Sequence, residues 1–413
     1  MNTLPSHDSC TETYSHGGQT SGVGESSAMR ANMVRERFAF VYRRKPEVIA
    51  FAPGRIEFIG NHTDYNGGPV LGAAIDRGVW VALASRPRGR RFASDQQSGG
   101  MEIVELPSGP PVKQHGAKAW LNYPLGVLSV LPAFNLPAPE GFDYLALSNL
   151  PLGAGLSSSA AIELASALAF LKLQHTDCSL ETLAQIGRKA ENDFVKVPCG
   201  VLDQGVSAFG QAGHLVHIDC RSSRFTRVPM PPGLDFWIFN THTKHALVDG
   251  LYAKRHGECM YATVCLGARD LADLTLEQLD AQQNRLPSEV AMRARHVLNE
   301  IRRVNEVVSL LKSGDVSAVG RLLVESHRSS QKLFENSTPE LDFLVDTLID
   351  LPGVYGARLV GGGFGGAVMA LTNRFAFDEK VPSDISARYA ERFGSAPGIL
   401  KLQSGNGARI VAA

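Results

Sequence analysis

The chain has 413 residues, with 41 Lys plus Arg balanced by 41 Asp plus Glu, so its formal net charge is +0 at pH 7. A neutral chain lacks the basic surface that nucleic-acid-binding proteins use, so we expect no nucleic-acid partner. Its length exceeds the size at which one hydrophobic core usually stops growing, which predicts two domains. No apolar run approaches the roughly 18 to 20 residues that span a bilayer, which predicts no membrane association.

The N-terminal residues 1–33 are rich in Ser, Gly, Thr and His and poor in large apolar side chains. This composition predicts a disordered extension, and the segment lacks the apolar core of a signal peptide. Six cysteines lie at scattered positions without CxxC spacing, which is typical of reduced thiols in the cytoplasm. We therefore expect a cytoplasmic protein. Since neither charge nor patterning points to a partner chain, we expect a monomer.

Short β-rich runs alternate with helical patterns in the first half of the chain, and two long amphipathic helical patterns follow in the second half. Such mixed runs predict an α+β fold in two lobes, with an N-terminal lobe over residues 34–225 and a C-terminal lobe over residues 226–413. The predicted strands are 48–52, 78–85, 101–106, 143–148, 214–219, 234–240 and two around a turn within 357–371. The predicted helices are 120–131, 157–173, 179–195, 288–312, 316–334 and 385–393.

The first motif that carries chemistry reads FAPGRIEFIGNHTDYNGG. An apolar run stops in it at the Pro53–Gly54 pair, which predicts a strand entering a loop. The polar residues that follow can donate and accept several hydrogen bonds, a composition suited to a sugar. Asn, Asp and Gly are also common turn residues, so the segment alone fits a solvated hairpin loop equally well. The cation and the polar residues in question are Arg55, Asn61, His62 and Asp64.

The second motif, PLGAGLSSSAA, lies between a predicted strand and a predicted helix. Gly153 and Gly155 allow a tight turn that brings amide N–H groups close to a ligand. The start of the helix offers free N–H donors and the positive end of the helix dipole, which attract phosphate. An ordinary serine cap after a glycine turn is the alternative. Three consecutive serines exceed what a cap needs, so we favour a phosphate-binding loop, although the chain has no GxxxxGK[ST] segment.

The third motif is ENDFVKVPCGVLDQ, in which Pro198 and Gly200 break the preceding helix. Asp203 should therefore lie near the start of a new turn or short helix, where a carboxylate can accept or orient the proton of a substrate hydroxyl. Glu191 is a candidate magnesium ligand, because magnesium takes carboxylate and hydroxyl oxygens. Considered in isolation, both carboxylates fit capping or surface roles better.

The fourth motif, GARLVGGGFGGAVMAL, has five glycines around Phe364 between two apolar runs. A turn so rich in glycine predicts close packing of this backbone, either on another segment of the chain or on a ligand. Considered alone, the segment also fits a flexible hairpin.

These segments, in this order, resemble the three signature motifs of the GHMP sugar kinases, and most closely those of the galactokinase family. Further similar segments connect them, including GHLVHIDCRS, GLYAKRH and VESHRSS. The resemblance implies a two-lobed GHMP kinase fold, with an N-terminal lobe like ribosomal protein S5 domain 2 and a ferredoxin-like C-terminal lobe. It also implies ATP-dependent phosphorylation of the anomeric C1 hydroxyl of a galactose-type sugar, with Mg²⁺ as the metal.

The same resemblance implies residue roles. Asp203 would contact the C1 hydroxyl as base or orienting group, and Arg55 would stabilise both this carboxylate and the charge on the transferring phosphoryl group. A neighbouring arginine favours the charged form of a carboxylate and makes it a weaker base, which favours the orienting role. The other implied roles are sugar ligands (Asn61, His62, Asp64, Gly200 and Tyr252), ATP phosphate ligands (Gly153, Ala154, Gly155, Leu156, Ser157 and Ser158) and magnesium ligands (Ser159 and Glu191).

One position departs from the family pattern. Galactokinases usually carry Glu where this chain has Asn61, and that Glu contacts the C6 hydroxyl of the sugar. Asn61 could hydrogen-bond the same hydroxyl, which leaves galactose as the substrate. Alternatively, the loss of a carboxylate removes repulsion and could admit a C6 carboxylate, as in galacturonate. We favour galactose because Asp64 and Tyr252 are retained.

A non-catalytic function must also be weighed. Some galactokinase relatives are sensors that bind ATP and galactose without catalysis, and they lack residues of the serine loop. The serine loop at 157–161 is complete here, and Arg55 and Asp203 are present. We therefore expect an enzyme.

Overall fold

A computed structural model describes residues 27–97, 100–151, 155–197, 199–244, 248–378 and 380–412. The strands are β1 (Val48–Ile59), β2 (Pro69–Ser85), β3 (Arg90–Ser94), β4 (Val104–Leu106), β5 (Phe142–Ser148), β6 (His214–Asp219), β7 (Arg224–Pro229), β8 (Leu234–Lys244), β9 (Val354–Val360), β10 (Gly365–Asn373), β11 (Gly398–Leu402) and β12 (Arg409–Ala412). The α-helices are α1 (Ser27–Tyr42), α2 (Asn122–Val130), α3 (Ser158–Leu173), α4 (Leu180–Lys189), α5 (Leu202–Phe209), α6 (Val248–Cys265), α7 (Leu276–Gln282), α8 (Ser288–Ser313), α9 (Val316–Ser329), α10 (Pro339–Ile349) and α11 (Val381–Phe393). The π-helical turns Ala190–Val195 and Ser330–Phe334 extend α4 and α9.

The N-terminal lobe is built on a sheet in which the described strands follow the order β12-β1-β2-β5-β3-β4, with β6 and β7 joined through β2. Strands β1 and β2 are long, antiparallel and buried along most of their length. Helix α3 packs across both of them and is apolar on nearly every side, so it lies inside the same core. Its N-terminus is thereby fixed beside β1, where the first and second motifs meet.

Strand β1 does not stop at the Pro53–Gly54 pair, as the sequence predicted, but continues to Ile59. The pairing with β2 shifts register between Pro53 and Arg55, which is a bulge, and there the Arg55 N–H donates to the carbonyl of Leu156 over 3.1 Å. A proline without an N–H donor is tolerated at such a bulge. Arg55 therefore projects from a strand and not from a loop.

The C-terminal lobe follows the order β8, helices, β9, β10, α11 and β11, and its antiparallel sheet has the strand order β11-β8-β10-β9. This arrangement is the split βαβ pattern of ferredoxin-like folds, so the predicted topology of this lobe is confirmed. Helix α10 packs on β9 and β10, while α9 packs on β9 and α8 contacts β1 and β2. Helix α8 therefore connects the two lobes beside the first motif.

Both ends of the described chain differ from the predicted limits of the lobes. Helix α1 begins at Ser27, so residues 27–33 are helical where disorder was predicted. The helix is held because Val34, Phe38 and Tyr42 are buried against the outer face of the N-terminal sheet. Strand β12 pairs with β1, so the end of the chain returns to the N-terminal sheet. Among the described helices, none is both long and apolar enough to cross a membrane.

Candidate active site

Arg55 and Asp203 form an ion pair at the junction of three motifs. The Arg55 Nε donates to Asp203 Oδ1 over 2.8 Å, and Nη2 lies 2.7 Å from the same oxygen. The Arg55 Nη1 donates to the carbonyl of Gly155 over 2.8 Å. The side chains of Arg55 and Asp203 are 13% and 25% exposed, so a ligand can still reach the carboxylate. Arg55 thus ties Asp203, which lies on the first turn of α5 as predicted, to the loop before α3.

Ser157 holds the other oxygen of Asp203. Its hydroxyl donates to Asp203 Oδ2 over 2.5 Å, and its backbone is left-handed with φ +54. The Ser157 side chain therefore makes no capping hydrogen bond to α3, which leaves the first N–H groups of this 16-residue helix for an anion. Gly155 and Ser158 are exposed beside them, and Leu156 is buried. The predicted phosphate ligands Gly153 and Ala154 lie outside the described residues.

Glu191 lies buried in the π-helical turn after α4. Its Oε2 accepts hydrogen bonds from Gln204 Nε2 over 2.7 Å and from Cys199 Sγ over 3.5 Å. Burial raises the pKa of Glu191, and a hydrogen bond from Ser159 acts in the opposite direction. The two predicted magnesium ligands are therefore in contact. In the described part of the chain, no group of three or more His, Cys, Asp or Glu side chains could hold a metal ion by itself.

A second buried carboxylate lies behind Glu191. Glu163 on α3 accepts a hydrogen bond from the same Gln204 Nε2 over 3.2 Å. Burial, together with the charge of Glu191, raises the pKa of Glu163 well above its usual value. Gln204 thus fixes the position of both carboxylates, and sequence reasoning missed both Glu163 and Gln204.

Asp64, Gly200 and Tyr252, three predicted sugar ligands, lie near Asp203. A Cβ on Gly200 would lie 2.5 Å from Asp64 Oδ2, so no larger residue fits there without movement. Burial raises the pKa of Asp64, and the charge of Asp203 raises it further. Burial also raises the pKa of Tyr252, followed by the charges of Asp64, Glu57 and Asp203. Tyr252 itself is 39% exposed.

His62 is buried, and protein groups contact both of its ring nitrogens. Its Nδ1 lies 3.0 Å from the Tyr65 hydroxyl, and its Nε2 lies 3.2 Å from the carbonyl of Gly362. The ring centroid lies 4.4 Å from that of Phe334 and 5.3 Å from that of Tyr252. Burial lowers the pKa of His62 to about 3, so the ring is neutral at physiological pH. His62 lines the wall behind Tyr252, and direct contact with a sugar stays a prediction.

Asn61 is 1% exposed, and neighbouring residues use both ends of its side-chain amide. Its Nδ2 donates to Glu57 Oε1 over 3.3 Å and also to the carbonyl of Gly361. Its Oδ1 accepts a hydrogen bond from Asn336 Nδ2 over 3.1 Å. The residue that departs from the family pattern is therefore part of a network between the lobes.

The glycine-rich turn between β9 and β10 packs on the first motif and on Asn336. Gly363 has φ +80, and a Cβ there would lie 2.2 Å from the carbonyl oxygen of Asn336. The Phe364 N–H donates to that carbonyl over 2.6 Å. Gly363 therefore serves close packing against another segment of the chain, whereas a Cβ on Gly361 or Gly366 would meet open space.

Buried charged residues complete the network, and sequence reasoning missed them. Arg358 on β9 approaches Glu57 Oε1 at 3.4 Å and Glu300 Oε1 at 3.7 Å. One signal for Glu57 was present, because a charged residue inside the apolar run of a strand must have a partner. Its partner is 301 positions away, beyond the reach of any local pattern.

Comparisons with known proteins agree with this geometry. Three family models match the chain: the galactokinase galactose-binding signature over residues 36–85, the GHMP kinases N terminal domain over 122–211 and the GHMP kinases C terminal model over 307–391. The galactokinase of Homo sapiens is 37% identical over 396 residues, which cover 94% of this chain and 97% of that protein. This chain belongs to the galactokinase family.

Other members of the galactokinase family show a similar match. The galactokinase of Roseiflexus sp. (strain RS-1) is 38% identical over 379 residues, which cover 91% of this chain and 95% of that protein. The crystal structure of Lactococcus lactis galactokinase complexed with galactose matches with a TM-score of 0.85 and 30% identity, covering 92% of this chain and 99% of that one. Methanococcus jannaschii mevalonate kinase, with a TM-score of 0.62 and 18% identity, shares the fold. The predicted GHMP kinase fold is confirmed, and the chain is an enzyme that phosphorylates an alcohol group.

Proposed function

We propose that this galactokinase-family enzyme transfers the γ-phosphoryl group of ATP to the C1 hydroxyl of galactose, giving galactose 1-phosphate and ADP. The observation that carries the proposal is the position of Asp203. Its carboxylate is held between Arg55 and Ser157 at the start of α3, and its charge raises the pKa of Asp64 and of Tyr252, after burial as the larger cause. This arrangement supports a phosphate site and a sugar site that share the Asp203 carboxylate.

The phosphates of ATP would bind at the N-terminus of α3. The uncapped N–H groups of its first turn and the positive end of its dipole favour anions. Gly155 and Ser158 would bring further backbone donors close, because both are exposed at this point. Phosphoryl transfer requires positioning and charge neutralisation more than covalent chemistry, and rigid backbone donors provide both.

Mg²⁺ would be held by Ser159 and Glu191. Their hydroxyl and carboxylate oxygens are in contact and are the ligand types that this ion prefers, and Mg²⁺ usually keeps waters and takes phosphate oxygens besides. When bound, the ion would neutralise charge on the phosphates. Gln204 would keep the Glu191 carboxylate in place through its 2.7 Å hydrogen bond.

Asp203 would orient the C1 hydroxyl by accepting its hydrogen bond. Both oxygens of Asp203 already accept hydrogen bonds, from the Arg55 guanidinium and the Ser157 hydroxyl, so the carboxylate is stabilised as an anion. Asp203 would chiefly orient the hydroxyl, with proton removal late in the transfer. Arg55 would remain beside the reacting group and offset negative charge that develops there.

The sugar hydroxyls would contact Asp64, Gly200 and Tyr252. A carboxylate and a phenol supply the acceptor and donor that neighbouring hydroxyls need, and the missing side chain at Gly200 leaves room for the ring. The contact of Gly200 with Asp64 supports a single pocket formed by the first and third motifs. Asn61 and His62 would shape its wall.

ADP release tests the proposal directly. We expect ADP release with galactose and loss of the reducing end of the sugar, because phosphorylation at C1 blocks the anomeric hydroxyl. Methyl galactoside, which has no free C1 hydroxyl, is the matched control and should give no ADP above background. ADP release with galactose but without loss of the reducing end would contradict phosphorylation at C1.

We also propose that the enzyme acts as a monomer in the cytoplasm. The described cysteines Cys178, Cys199, Cys220, Cys259 and Cys265 are all free, which supports a reducing compartment. Sedimentation of the purified enzyme would test the monomer, and a dimer at working concentration would contradict it.

A further inference from the structure

Glu57 and Asn61 form a hydrogen-bonded pair at the wall of the sugar pocket. The chain has an amide at position 61, where galactokinases usually carry the carboxylate that contacts the C6 hydroxyl. The structure brings a different carboxylate to this amide, because Asn61 Nδ2 donates to Glu57 Oε1 over 3.3 Å. The carboxylate that position 61 lacks is therefore present one side chain away.

The Asn61 side chain is poorly placed to bind a sugar itself. It is 1% exposed, its Nδ2 donates to Glu57 and to the carbonyl of Gly361, and its Oδ1 accepts from Asn336. A sugar hydroxyl would have to displace one of these partners. Leaving a buried amide group unpaired has a substantial free-energy cost, so direct recognition by Asn61 is disfavoured.

Glu57, in contrast, keeps one oxygen for a ligand. Among the described residues, its contacts with Asn61 and with Arg358 Nη1, the latter at 3.4 Å, both use Oε1, and Oε2 has no protein partner. The side chain is not fully enclosed, since 9% of it is exposed. Because Asn61 and Arg358 both bind Oε1, they hold the Glu57 carboxylate in one orientation and leave Oε2 unbound.

Glu57 lies on the same face of β1 as Arg55, because the pairing with β2 keeps its register from Arg55 to Glu57 and side chains two residues apart share a face. Burial raises the pKa of Tyr252 most, and the charges of Asp64, Glu57 and Asp203 raise it further, in this order of decreasing effect. Burial raises the pKa of Glu57, and the charges of Arg358 and Arg55 act in the opposite direction. Glu57 is thus a near neighbour of the residues that would bind the sugar, although the sequence analysis gave it no role.

We propose that Glu57, held by Asn61 and Arg358, accepts the hydrogen bond of the C6 hydroxyl of the sugar and repels a carboxylate at C6. The inference rests on the proposed function and deepens it, because it decides between galactose and galacturonate in favour of galactose. Arg358 does not reverse this preference, since Glu300 lies on its other side at 3.7 Å and shares its charge. Asn61 and Arg358 act as positioning residues.

The test compares three sugars on Glu57→Gln: galactose, 6-deoxygalactose and galacturonate. A hydrogen bond to a charged group contributes enough for a loss of about tenfold to a hundredfold in kcat/KM for galactose. We expect this loss to result from a rise in KM, with kcat within about threefold of the wild-type value, because the contact is remote from C1. The kcat/KM for 6-deoxygalactose should stay within about twofold, since it has no C6 hydroxyl, and that for galacturonate should rise.

Two further variants make the test specific. Glu47→Gln is the matched control, because Glu47 bonds Arg44 and Ser85 at the surface before β1 and should leave all three sugars unchanged. The double variant Glu57→Gln plus Asn61→Glu moves the carboxylate to the position usual in the family. It should recover most of the preference for galactose over 6-deoxygalactose that Glu57→Gln loses.

The outcomes are distinguishable. If the wild-type enzyme releases no ADP with galactose, the proposed function fails. If the wild type is active but Glu57→Gln keeps its ratio of galactose to 6-deoxygalactose, only the role of Glu57 is overturned. That role is likewise overturned if Glu57→Gln lowers kcat/KM for all three sugars equally, since such a pattern indicates a structural effect.

Discussion

Glu300 on α8 accepts a hydrogen bond from the backbone N–H of Gly60 over 3.2 Å, just before Asn61 and His62. Its Oε1 also accepts from Ser326 over 2.7 Å, and its Oε2 accepts from Arg303 Nε over 2.8 Å. A buried residue of the C-terminal half thus holds the loop that follows β1. Burial alone would raise the pKa of Glu300, but Arg303 and Arg358 outweigh it and lower the pKa to about 2.

The first prediction concerns this carboxylate. Glu300→Gln keeps the shape but removes the charge, which leaves Arg303 buried without its counter-ion and Arg358 with Glu57 as its remaining partner. Breaking a buried ion pair on one side costs about 3 kcal/mol or more, so we expect a clear fall in the free energy of unfolding by urea. The KM for galactose should rise as well, because the loop after β1 loses an anchor. Glu306→Gln, a change at an exposed position of the same helix, should alter neither the free energy of unfolding nor the KM for galactose. Equal stability of the two variants would contradict this role for Glu300.

The second prediction concerns pH. Burial lowers the pKa of His62 to about 3 and that of His296 to about 4, from an ordinary 6.5. Between about pH 4 and 6.5 the unfolded chain therefore binds protons at these positions that the folded chain does not. The free energy of unfolding should fall as the pH falls through this window, by up to about 1.4 kcal/mol per pH unit for each histidine. Glu300 adds a loss only below about pH 4.5, where the unfolded carboxylate protonates.

Urea unfolding of the wild type and His296→Gln between pH 7 and pH 5 checks this prediction. The variant should be less stable at pH 7, since His296 Nδ1 lies 2.8 Å from Ser329 Oγ, but its curve against pH should be shallower. Comparing two curves cancels the opposite contributions of Glu57 and Asp64, whose pKa values burial raises. His115→Gln, at an exposed position, should run parallel to the wild type. A parallel curve for His296→Gln would refute the assignment of this histidine as neutral.

Local motifs predicted the residues that carry the chemistry of the site better than the buried residues that hold the site in place. Arg55, Ser157 and Asp203 each lie in a short stretch with its own turn signals, so the sequence indicated them, and the structure brings their side chains into contact. Glu300 and Arg358 reach Gly60 and Glu57 across separations of 240 and 301 positions. Such pairings depend on how the lobes pack, and no local periodicity encodes them.

Two helices that the sequence analysis did not predict, α1 and α10, carry local signals of helix formation. Thr338 caps α10 with its side chain and Pro339 occupies the first turn, which together are a standard start for a helix. Val34, Phe38 and Tyr42 on α1 repeat every four residues and form one buried stripe. The polar composition before Val34 concealed this stripe. By contrast, the bulge that carries β1 past Pro53 depends on Leu156, which lies on a separate segment.

The third prediction concerns Gly200. A Cβ there would lie 2.5 Å from Asp64 Oδ2, so Gly200→Ala must displace the carboxylate or the loop before α5. Since displacing a binding group by about 1 Å can cost up to a hundredfold, we expect KM for galactose to rise at least tenfold. Gly257→Ala on α6, where a Cβ has open space, is the matched control and should leave KM unchanged. Wild-type KM in Gly200→Ala would show that this contact does not define the sugar pocket.

The fourth prediction separates the two partners of Asp203. Asp203→Ala should lower kcat by about a thousandfold or more, because the group that orients the C1 hydroxyl is lost, while galactose binding by calorimetry partly survives. Ser157→Ala removes the 2.5 Å hydrogen bond but leaves the Arg55 ion pair, so kcat should fall by a smaller factor, on the order of ten. Asp193→Ala, which removes an exposed carboxylate paired with Lys189, serves as the control, and its kcat should stay within about twofold of wild type.

Turnover near the wild-type value in Asp203→Ala would remove this carboxylate from the mechanism. A loss in Ser157→Ala as large as in Asp203→Ala would mean that the serine, and not Arg55, keeps the carboxylate in its working position.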